Sequence, residues 1–152
     1  MEEALHIESV GEENREACLR LRTAPGQEGF VESVADCLRE AEGYAGWRPV
    51  AIERGEAVVG FAMYGFFPQY RPAGRVWLDR LLIGAPYQGK GYGRAALRLL
   101  LQRLRDEYGD RDVYLSVVDG NAAAARLYVS QGFERTEEKD IGGEAVYVLR
   151  RQ

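Results

Sequence analysis

Hydrophobic residues along this chain follow two patterns, one typical of strands and one typical of helices. Short apolar or alternating runs predict strands, and runs whose apolar residues return every three or four positions predict amphipathic helices. The predicted strands cover residues 5–10, 48–53, 56–67, 75–83, 112–118, 134–141 and 145–149, and the predicted helices cover residues 13–22, 31–42, 91–108 and 121–131. Because the two kinds of element interleave, the pattern predicts an α/β domain with a mixed sheet.

Length and charge limit what this domain can be. The 152 residues, 46% of them hydrophobic, match one compact domain with its own core, which we place at residues 1–152. The formal net charge of −4 argues against a protein that binds nucleic acid mainly through phosphates. An acidic surface suits a cationic substrate better.

Cysteine and histidine are scarce in the sequence. Cys18 and Cys37 lie in predicted helices without a Cys-x-x-Cys pair, and His6 is the only histidine. We therefore expect two reduced, buried thiols, no metal site and no catalytic triad. No apolar run approaches the length of a membrane span and the N-terminus lacks the basic region of a signal peptide, so we expect a cytoplasmic protein without membrane contact.

A glycine-rich turn joins the fourth predicted strand to the third predicted helix. Gly89, Gly91 and Gly93 stand at alternate positions, with Lys90 and Arg94 beside them. Glycines let the backbone approach a ligand closely, and the N–H groups that open the helix point at a bound anion. The turn therefore predicts a phosphate site, although a plain strand-to-helix turn would use the same residues.

Two familiar phosphate loops fit this turn incompletely. Residues 84–90 match G-x-x-x-x-G-K, but the next residue is Gly91, so the hydroxyl that binds magnesium in a P-loop is missing. The dinucleotide fingerprint G-x-G-x-x-G fails because its last glycine would fall at Arg94. Residues 88–93 fit Gln-x-x-Gly-x-Gly, which resembles the pyrophosphate loop of the GCN5-related N-acetyltransferases, enzymes that use acetyl-CoA.

A second motif lies one strand further along the chain. Residues 121–133 resemble the same superfamily's pattern Asn-x-x-Ala-x-x-Leu-Tyr-x-x-x-Gly-Phe, although by themselves they would fit a capped, alanine-rich helix. The resemblance implies a single acetyltransferase domain of α/β class. Its sheet would be GNAT-like: mixed, mostly antiparallel and twisted, with about seven strands, flanking helices and splayed central strands.

A narrower likeness concerns the acceptor. Residues 32–33, 60–65, 76–80 and 87–93 look like the bacterial spermine/spermidine acetyltransferases of this superfamily, although Gln88 stands where many members carry arginine. The likeness implies a small cationic amine as acceptor, a polyamine above all, and a homodimer. A protein lysine, an N-terminal amine and an aminoglycoside remain alternatives, and so does a CoA-binding sensor without activity.

The superfamily resemblance also implies where acetyl-CoA binds. Backbone groups of the fourth strand would contact the pantetheine arm, the glycine turn would surround the pyrophosphate, and a helix cap would lie near the pantetheine. The implied residues are Leu81, Leu82, Ile83, Gln88, Gly89, Lys90, Gly91, Tyr92, Gly93, Arg94 and Asn121.

The same resemblance gives candidates for the chemistry. Tyr128 matches the motif's tyrosine and would protonate the leaving thiolate, the alternative being a packing role in the core. Asp79 matches an acidic position and would take the proton from the amine or hold the ammonium, unless it forms a structural ion pair with Arg80. For the acceptor, Glu28 and Glu32 are candidates for the distal ammonium groups, and Tyr64, Phe67 and Trp77 are candidates for packing the methylene chain.

Overall fold

The computed structural model describes residues 4–25 and 33–151. The strands are β1 (Leu5–Ser9), β2 (Trp47–Arg54), β3 (Ala57–Phe67), β4 (Arg75–Ile83), β5 (Val113–Val117), β6 (Glu134–Lys139) and β7 (Ala145–Leu149). The helices are α1 (Arg15–Leu19), α2 (Val34–Glu42), α3 (Tyr92–Tyr108) and α4 (Ala122–Ser130), with a 3₁₀ turn at Ala85–Tyr87.

The seven strands form one sheet in the order β1-β2-β3-β4-β5-β7-β6. Neighbouring strands are antiparallel except β4 and β5, which run parallel. These two pair only at Val76–Val113 and Trp77–Tyr114, and no further ladder pair joins them within the described residues. Beyond Trp77 the two strands therefore diverge, which confirms the predicted mixed sheet with splayed central strands.

Helix α3 covers one face of the sheet with the apolar stripe that the sequence predicts. Ala96, Leu97, Leu100 and Leu104 are at most 1% exposed, and Leu101 packs at the margin of the same cluster. Burial of each such leucine contributes about 1.5–3 kcal/mol. This packing fixes the start of α3, and with it the glycine turn, against β4.

The opposite face carries α1 and α2 in a smaller core. Cys18 and Cys37 are both free thiols, fully buried there, as the sequence predicts. Helix α1 is shorter than the predicted 13–22, and after its end the Arg22 guanidinium donates to the carbonyls of Leu19 and Leu21. Such bonds satisfy carbonyl groups that have no partner within the helix. The start of the predicted second helix lies outside the described residues.

A β-bulge in β4 determines which side chains meet over the second face. Met63 of β3 lies opposite Arg80, but the next residue, Tyr64, lies opposite Leu78, so that Asp79 is the extra residue. Without this extra residue the alternation of β4 would turn Arg80 towards α3. Bulges re-aim side chains in this way and are frequent beside active sites.

Candidate active site

The glycine turn, residues 88–94, has the backbone conformation that its sequence indicates. Gly89 and Gly91 have φ of +77° and +84°, values that side chains other than glycine's rarely allow. A Cβ at either position would meet nothing within 4 Å, so conformation rather than crowding requires glycine. Gly91 is the N-cap of α3, whose first N–H groups have no carbonyl partner within the helix. The turn thus presents backbone donors to the open space beside it.

A cavity of about 230 Å³ lies beside this turn, between β4 and α4. Most of the predicted coenzyme residues line it: Leu81, Leu82, Ile83, Gln88, Gly89, Gly91, Tyr92, Gly93 and Asn121. Lys90 and Arg94 are exposed next to the turn and do not line the cavity. The positive charges of these two side chains would attract a bound phosphate from the edge of the cavity.

Three of these residues use their side chains within the protein. The Gln88 amide donates to the Ile83 carbonyl at 2.9 Å, and the Tyr92 hydroxyl accepts from Arg54. Asn121 caps α4, its Oδ1 accepting from the Ala124 N–H at 3.3 Å. These bonds use one amide N–H of Gln88 and one lone pair of the Tyr92 hydroxyl, and they hold both side chains in place beside the cavity.

A larger cleft of about 600 Å³ opens where β4 and β5 diverge. We call it the acidic cleft, because its wall carries Glu40, Asp79, Glu138, Asp140 and Glu144 against the cations Arg80 and Lys139. Phe67 and Trp77, both predicted to contact the acceptor, line it as well. The acids come from α2, from β4 and from the end of the chain around the β6–β7 turn.

The two cavities meet at four shared residues. Leu81, Asn121, Ala124 and Tyr128 line both the cavity beside the glycine turn and the acidic cleft. Two ligands that entered from the two sides would therefore come together next to the Tyr128 hydroxyl.

Tyr128 is partly buried at this junction, and its ring packs edge-on against Phe133 with the ring centres 5.8 Å apart. Burial raises the pKa of the Tyr128 hydroxyl to about 12. The cause is loss of solvation, which disfavours the phenolate. The hydroxyl is therefore protonated at neutral pH and can act as a hydrogen-bond donor.

Asp79 lines the acidic cleft, but its carboxylate is already paired. The Arg80 guanidinium contacts the Asp79 carboxylate, and its other terminal nitrogen lies 2.8 Å from a carboxylate oxygen of Glu40 in α2. Arg80 is largely buried, with 11% of its side chain exposed. The structure thus contains the ion pair that the sequence offered as the alternative to a catalytic base.

Sequence reasoning missed the acids of the last hairpin. Glu138 forms a two-pronged pair with Arg75, whose Nη1 lies 3.1 and 3.0 Å from the two carboxylate oxygens. Asp140 accepts from the N–H groups of Gly142 and Glu144, which ends β6 earlier than predicted. The density of acids between residues 137 and 144 was the available signal. The sequence did not reveal the strand order, and for that reason these acids could not be assigned to the cleft. Strand β7 lies between β5 and β6 and brings this turn to the cleft.

Three of the predicted acceptor residues remain: Tyr64, Glu28 and Glu32. The assignment of Tyr64 is wrong, because its side chain points to the α3 side, is 1% exposed and donates to Glu107. The alternation of β3 gives the reason: Ala62 and Tyr64 face the core under α3, whereas Phe61 and Met63 face the opposite side. Glu28 and Glu32 lie outside the described residues.

The described residues also bear on metal and membrane binding. They contain no group of three or more histidine, cysteine or acidic side chains placed to hold a metal ion. Over the same ranges, no helix combines the length and the apolarity that a membrane crossing requires.

Comparison with known proteins places this geometry in a family. Residues 12–133 match the acetyltransferase (GNAT) family. The chain is 40% identical over 148 residues to the spermine/spermidine N(1)-acetyltransferase of Bacillus subtilis (strain 168), an alignment that covers 95% of this chain and 97% of the relative.

Solved structures share the fold at lower identity. An acetyltransferase from Thermus thermophilus superposes with a TM-score of 0.75 at 24% identity, with all of both chains covered. PaiA N-acetyltransferase from Thermoplasma acidophilum, solved in complex with coenzyme A, gives 0.69 at 15% identity, covering 97% of this chain and 99% of that one. The family match and the full-length relative confirm the predicted superfamily and acyltransferase class, and the chain belongs to the acetyltransferase (GNAT) family.

Proposed function

We propose that this protein transfers the acetyl group of acetyl-CoA directly to a primary amine of a polyamine, spermine or spermidine, within a ternary complex. One observation carries the proposal. The cavity beside the glycine turn and the acidic cleft meet at Tyr128, so an anionic coenzyme and a cationic acceptor would reach the same point from opposite sides.

The glycine turn fits the coenzyme's pyrophosphate. Gly89 and Gly91 hold a backbone that points N–H donors into open space at the N-terminus of the 17-residue helix α3, and such helix ends favour anions. The diverging ends of β4 and β5 leave room beside Leu81 and Ile83 for the pantetheine arm. Named structures of this fold in complex with coenzyme A support the assignment.

The acidic cleft fits a polycation. Its carboxylates exceed its cations, and its aromatic side chains Phe67, Tyr70 and Trp77 provide surfaces for methylene groups and for ammonium ions. The relative at 40% identity carries the name of an enzyme for spermine and spermidine. We therefore propose a polyamine rather than a protein lysine, an N-terminal amine or an aminoglycoside.

The attacking nitrogen must lose its charge before it reacts. A primary alkylamine has a pKa near 10.4, as lysine does, so at neutral pH it arrives as an ammonium. We propose that the Asp79 carboxylate, which contacts Arg80, holds this ammonium, and that water relays its proton away. An ion-paired carboxylate is better suited to holding a cation than to accepting its proton.

The thioester supplies an activated acetyl group, and the protein must stabilise the negative charge that develops on the departing sulfur. We propose that the Tyr128 hydroxyl donates a hydrogen bond to the departing sulfur. Full proton transfer from a hydroxyl whose pKa is about 12 to a thiolate whose thiol has a pKa near 8.5 is uphill. Tyr128 would therefore pass on a proton only as it receives the one that the nitrogen loses on attack.

Three further proposals rest on the resemblance to bacterial relatives and on charge. They are a homodimer, a cytoplasmic location, and a reaction without nucleic acid or membrane, in line with the net charge of −4. Sedimentation of the purified protein tests the first.

Release of free thiol tests the proposed function directly. Purified protein incubated with acetyl-CoA and spermidine should release CoA continuously and produce monoacetylspermidine, detected by mass. Coenzyme binding without thiol release would identify a CoA-binding sensor and contradict the proposal.

A further inference from the structure

The start of β4 carries an arginine enclosed by aromatic rings. The Arg75 guanidinium carbon lies 4.0 Å from the centre of the Tyr114 ring, 5.0 Å from that of Tyr70 and 5.9 Å from that of Trp77. Glu138 completes the enclosure through its two-pronged ion pair. Three rings and a carboxylate around one point are the partners that recognise an organic cation. We call this group the cation cage.

The cation cage borders the far end of the acidic cleft, although Arg75 and Tyr114 do not themselves line the cleft. Tyr70, Trp77 and Glu138 belong to both, whereas Tyr128 and Leu81 mark the end where the coenzyme cavity joins. Leu81 lies four positions after Trp77 along β4, which corresponds to at most about 13 Å of extended strand. An extended polyamine whose first nitrogen lies at Tyr128 would therefore direct its next charges at the cage.

We propose that Arg75 closes the far end of the acidic cleft and thereby limits the length of the polyamine that this enzyme uses well. The inference rests on the proposed polyamine acceptor. It assigns Arg75 and Glu138 to acceptor selection, the guanidinium filling the site that a distal ammonium of a longer acceptor would otherwise occupy.

Repulsion between like charges is the physical reason why Arg75 would limit the length of the acceptor. A distal ammonium that reaches the cage meets a guanidinium of like charge, which is only 22% exposed and therefore incompletely screened. Removal of the guanidinium leaves the rings and the Glu138 carboxylate for the acceptor. Removal of the carboxylate instead leaves the positive charge without its counter-ion. The two changes should therefore shift acceptor preference in opposite directions.

A purely structural role for the Arg75–Glu138 pair predicts a different result. If the Arg75–Glu138 pair only fastened β6 to β4, loss of either partner would disturb the same contact, and both variants would change in the same direction. Arg111 offers a matched control, because its guanidinium also lies against an aromatic ring, 4.9 Å from that of Phe66, and donates to the Ala73 carbonyl. Neither of these partners lines the acidic cleft, whereas Tyr70, Trp77 and Glu138 beside Arg75 do.

The experiment measures kcat/KM for spermine and spermidine with the full-length wild type, Arg75→Met, Glu138→Gln and Arg111→Met. The spermine-to-spermidine ratio should rise about fivefold in Arg75→Met, fall about threefold in Glu138→Gln and stay within about twofold in Arg111→Met. Thermal unfolding of each variant checks that it is folded.

Each result decides the inference. An unchanged ratio in folded Arg75→Met, or a shift of both variants in one direction, overturns it while the proposed function stands. Should Arg75→Met fail to fold, Glu138→Gln decides alone, a fall supporting the inference and any other result overturning it. Absence of spermidine acetylation by the wild type would overturn both the inference and the proposed function.

Discussion

The glycine turn and the acidic cleft meet at Tyr128 but are built in different ways. The turn works through the backbone: Gly89 and Gly91 adopt φ values that glycine tolerates, and the donors belong to peptide groups at the start of α3. The cleft works through side chains from distant parts of the chain, such as Glu40 in α2 and Glu138 in β6.

This difference determines how each region responds to change. A backbone site depends on one local conformation, so a single substitution that forbids the conformation should abolish binding. In a site built from side chains, several ion pairs contribute: the Arg80 guanidinium pairs with two carboxylates, and Arg75 pairs with Glu138. Partly exposed ion pairs contribute on the order of 1 kcal/mol or less each, so single losses in the cleft should be graded.

The largest effect should come from the junction of the two regions. Tyr128→Phe deletes the hydroxyl and keeps the ring against Phe133, so turnover should fall by about 100-fold to 10,000-fold while coenzyme affinity stays near that of wild type. Single-turnover kinetics and calorimetry measure the two quantities. Tyr147→Phe, which deletes a hydroxyl in the neighbouring core, is the matched control. Wild-type turnover of Tyr128→Phe with chemistry rate-limiting would assign proton donation to water.

A single substitution in the glycine turn should greatly weaken coenzyme binding. Gly91→Glu forces a side chain into a left-handed conformation and brings negative charge to the phosphate site, so coenzyme affinity should drop about 100-fold. Gly109→Glu is the control, because Gly109 has a φ of +83° at the other end of α3, equally open around its Cβ. If folded Gly91→Glu binds coenzyme as tightly as Gly109→Glu does, the pyrophosphate does not bind at this turn.

The acidic cleft should respond gradually to loss of Asp79. Asp79→Asn removes one anchor while Glu40 retains Arg80, so KM for spermidine should rise about fivefold and the pH dependence of kcat should keep its shape. Asp36→Asn, which breaks an exposed pair with Arg39 elsewhere on α2, should change neither quantity. A kcat that falls at least 100-fold with a displaced pH profile would instead make Asp79 the general base.

The smallest effect concerns stability at alkaline pH. The pKa of Tyr128 rises from about 10 to about 12 on folding, so the folded protein holds this proton more tightly than the unfolded chain does. The resulting stabilisation is complete below about pH 10 and is lost as the pH rises towards 12. Between about pH 9 and 11.5 the Tm of Tyr128→Phe should therefore fall about 3 °C less than that of wild type. An equal fall would mean that the hydroxyl is solvated in the folded state.

The same contrast explains what the sequence could predict. Strand β4 and strand β7 were predicted to the residue, and the conformation of the glycine turn could be predicted because local spacing encodes backbone conformation. Motif spacing likewise identified Tyr128 at the junction. Features that are local in sequence could be predicted.

The acidic cleft could be predicted only in part, because its residues meet through topology. Glu138 reaches the cleft only because β7 lies between β5 and β6, and an order of strands cannot be read from a hydrophobic pattern. The bulge at Asp79 shifts the alternation of β4 by one residue, so that Trp77 and Arg80, three positions apart, both line the cleft. A pattern with period two gives no warning of such an insertion.

A comparison of acceptors tests the central claim most directly. The purified enzyme should be assayed for kcat/KM with spermine, spermidine, a lysine-containing peptide and an aminoglycoside at one fixed acetyl-CoA concentration. The account predicts that spermine or spermidine exceeds both other acceptors by at least about tenfold, which corresponds to about 1.4 kcal/mol in transition-state binding. A lysine peptide or an aminoglycoside that exceeded both polyamines by that factor would contradict the polyamine assignment, although the protein would remain an acetyltransferase.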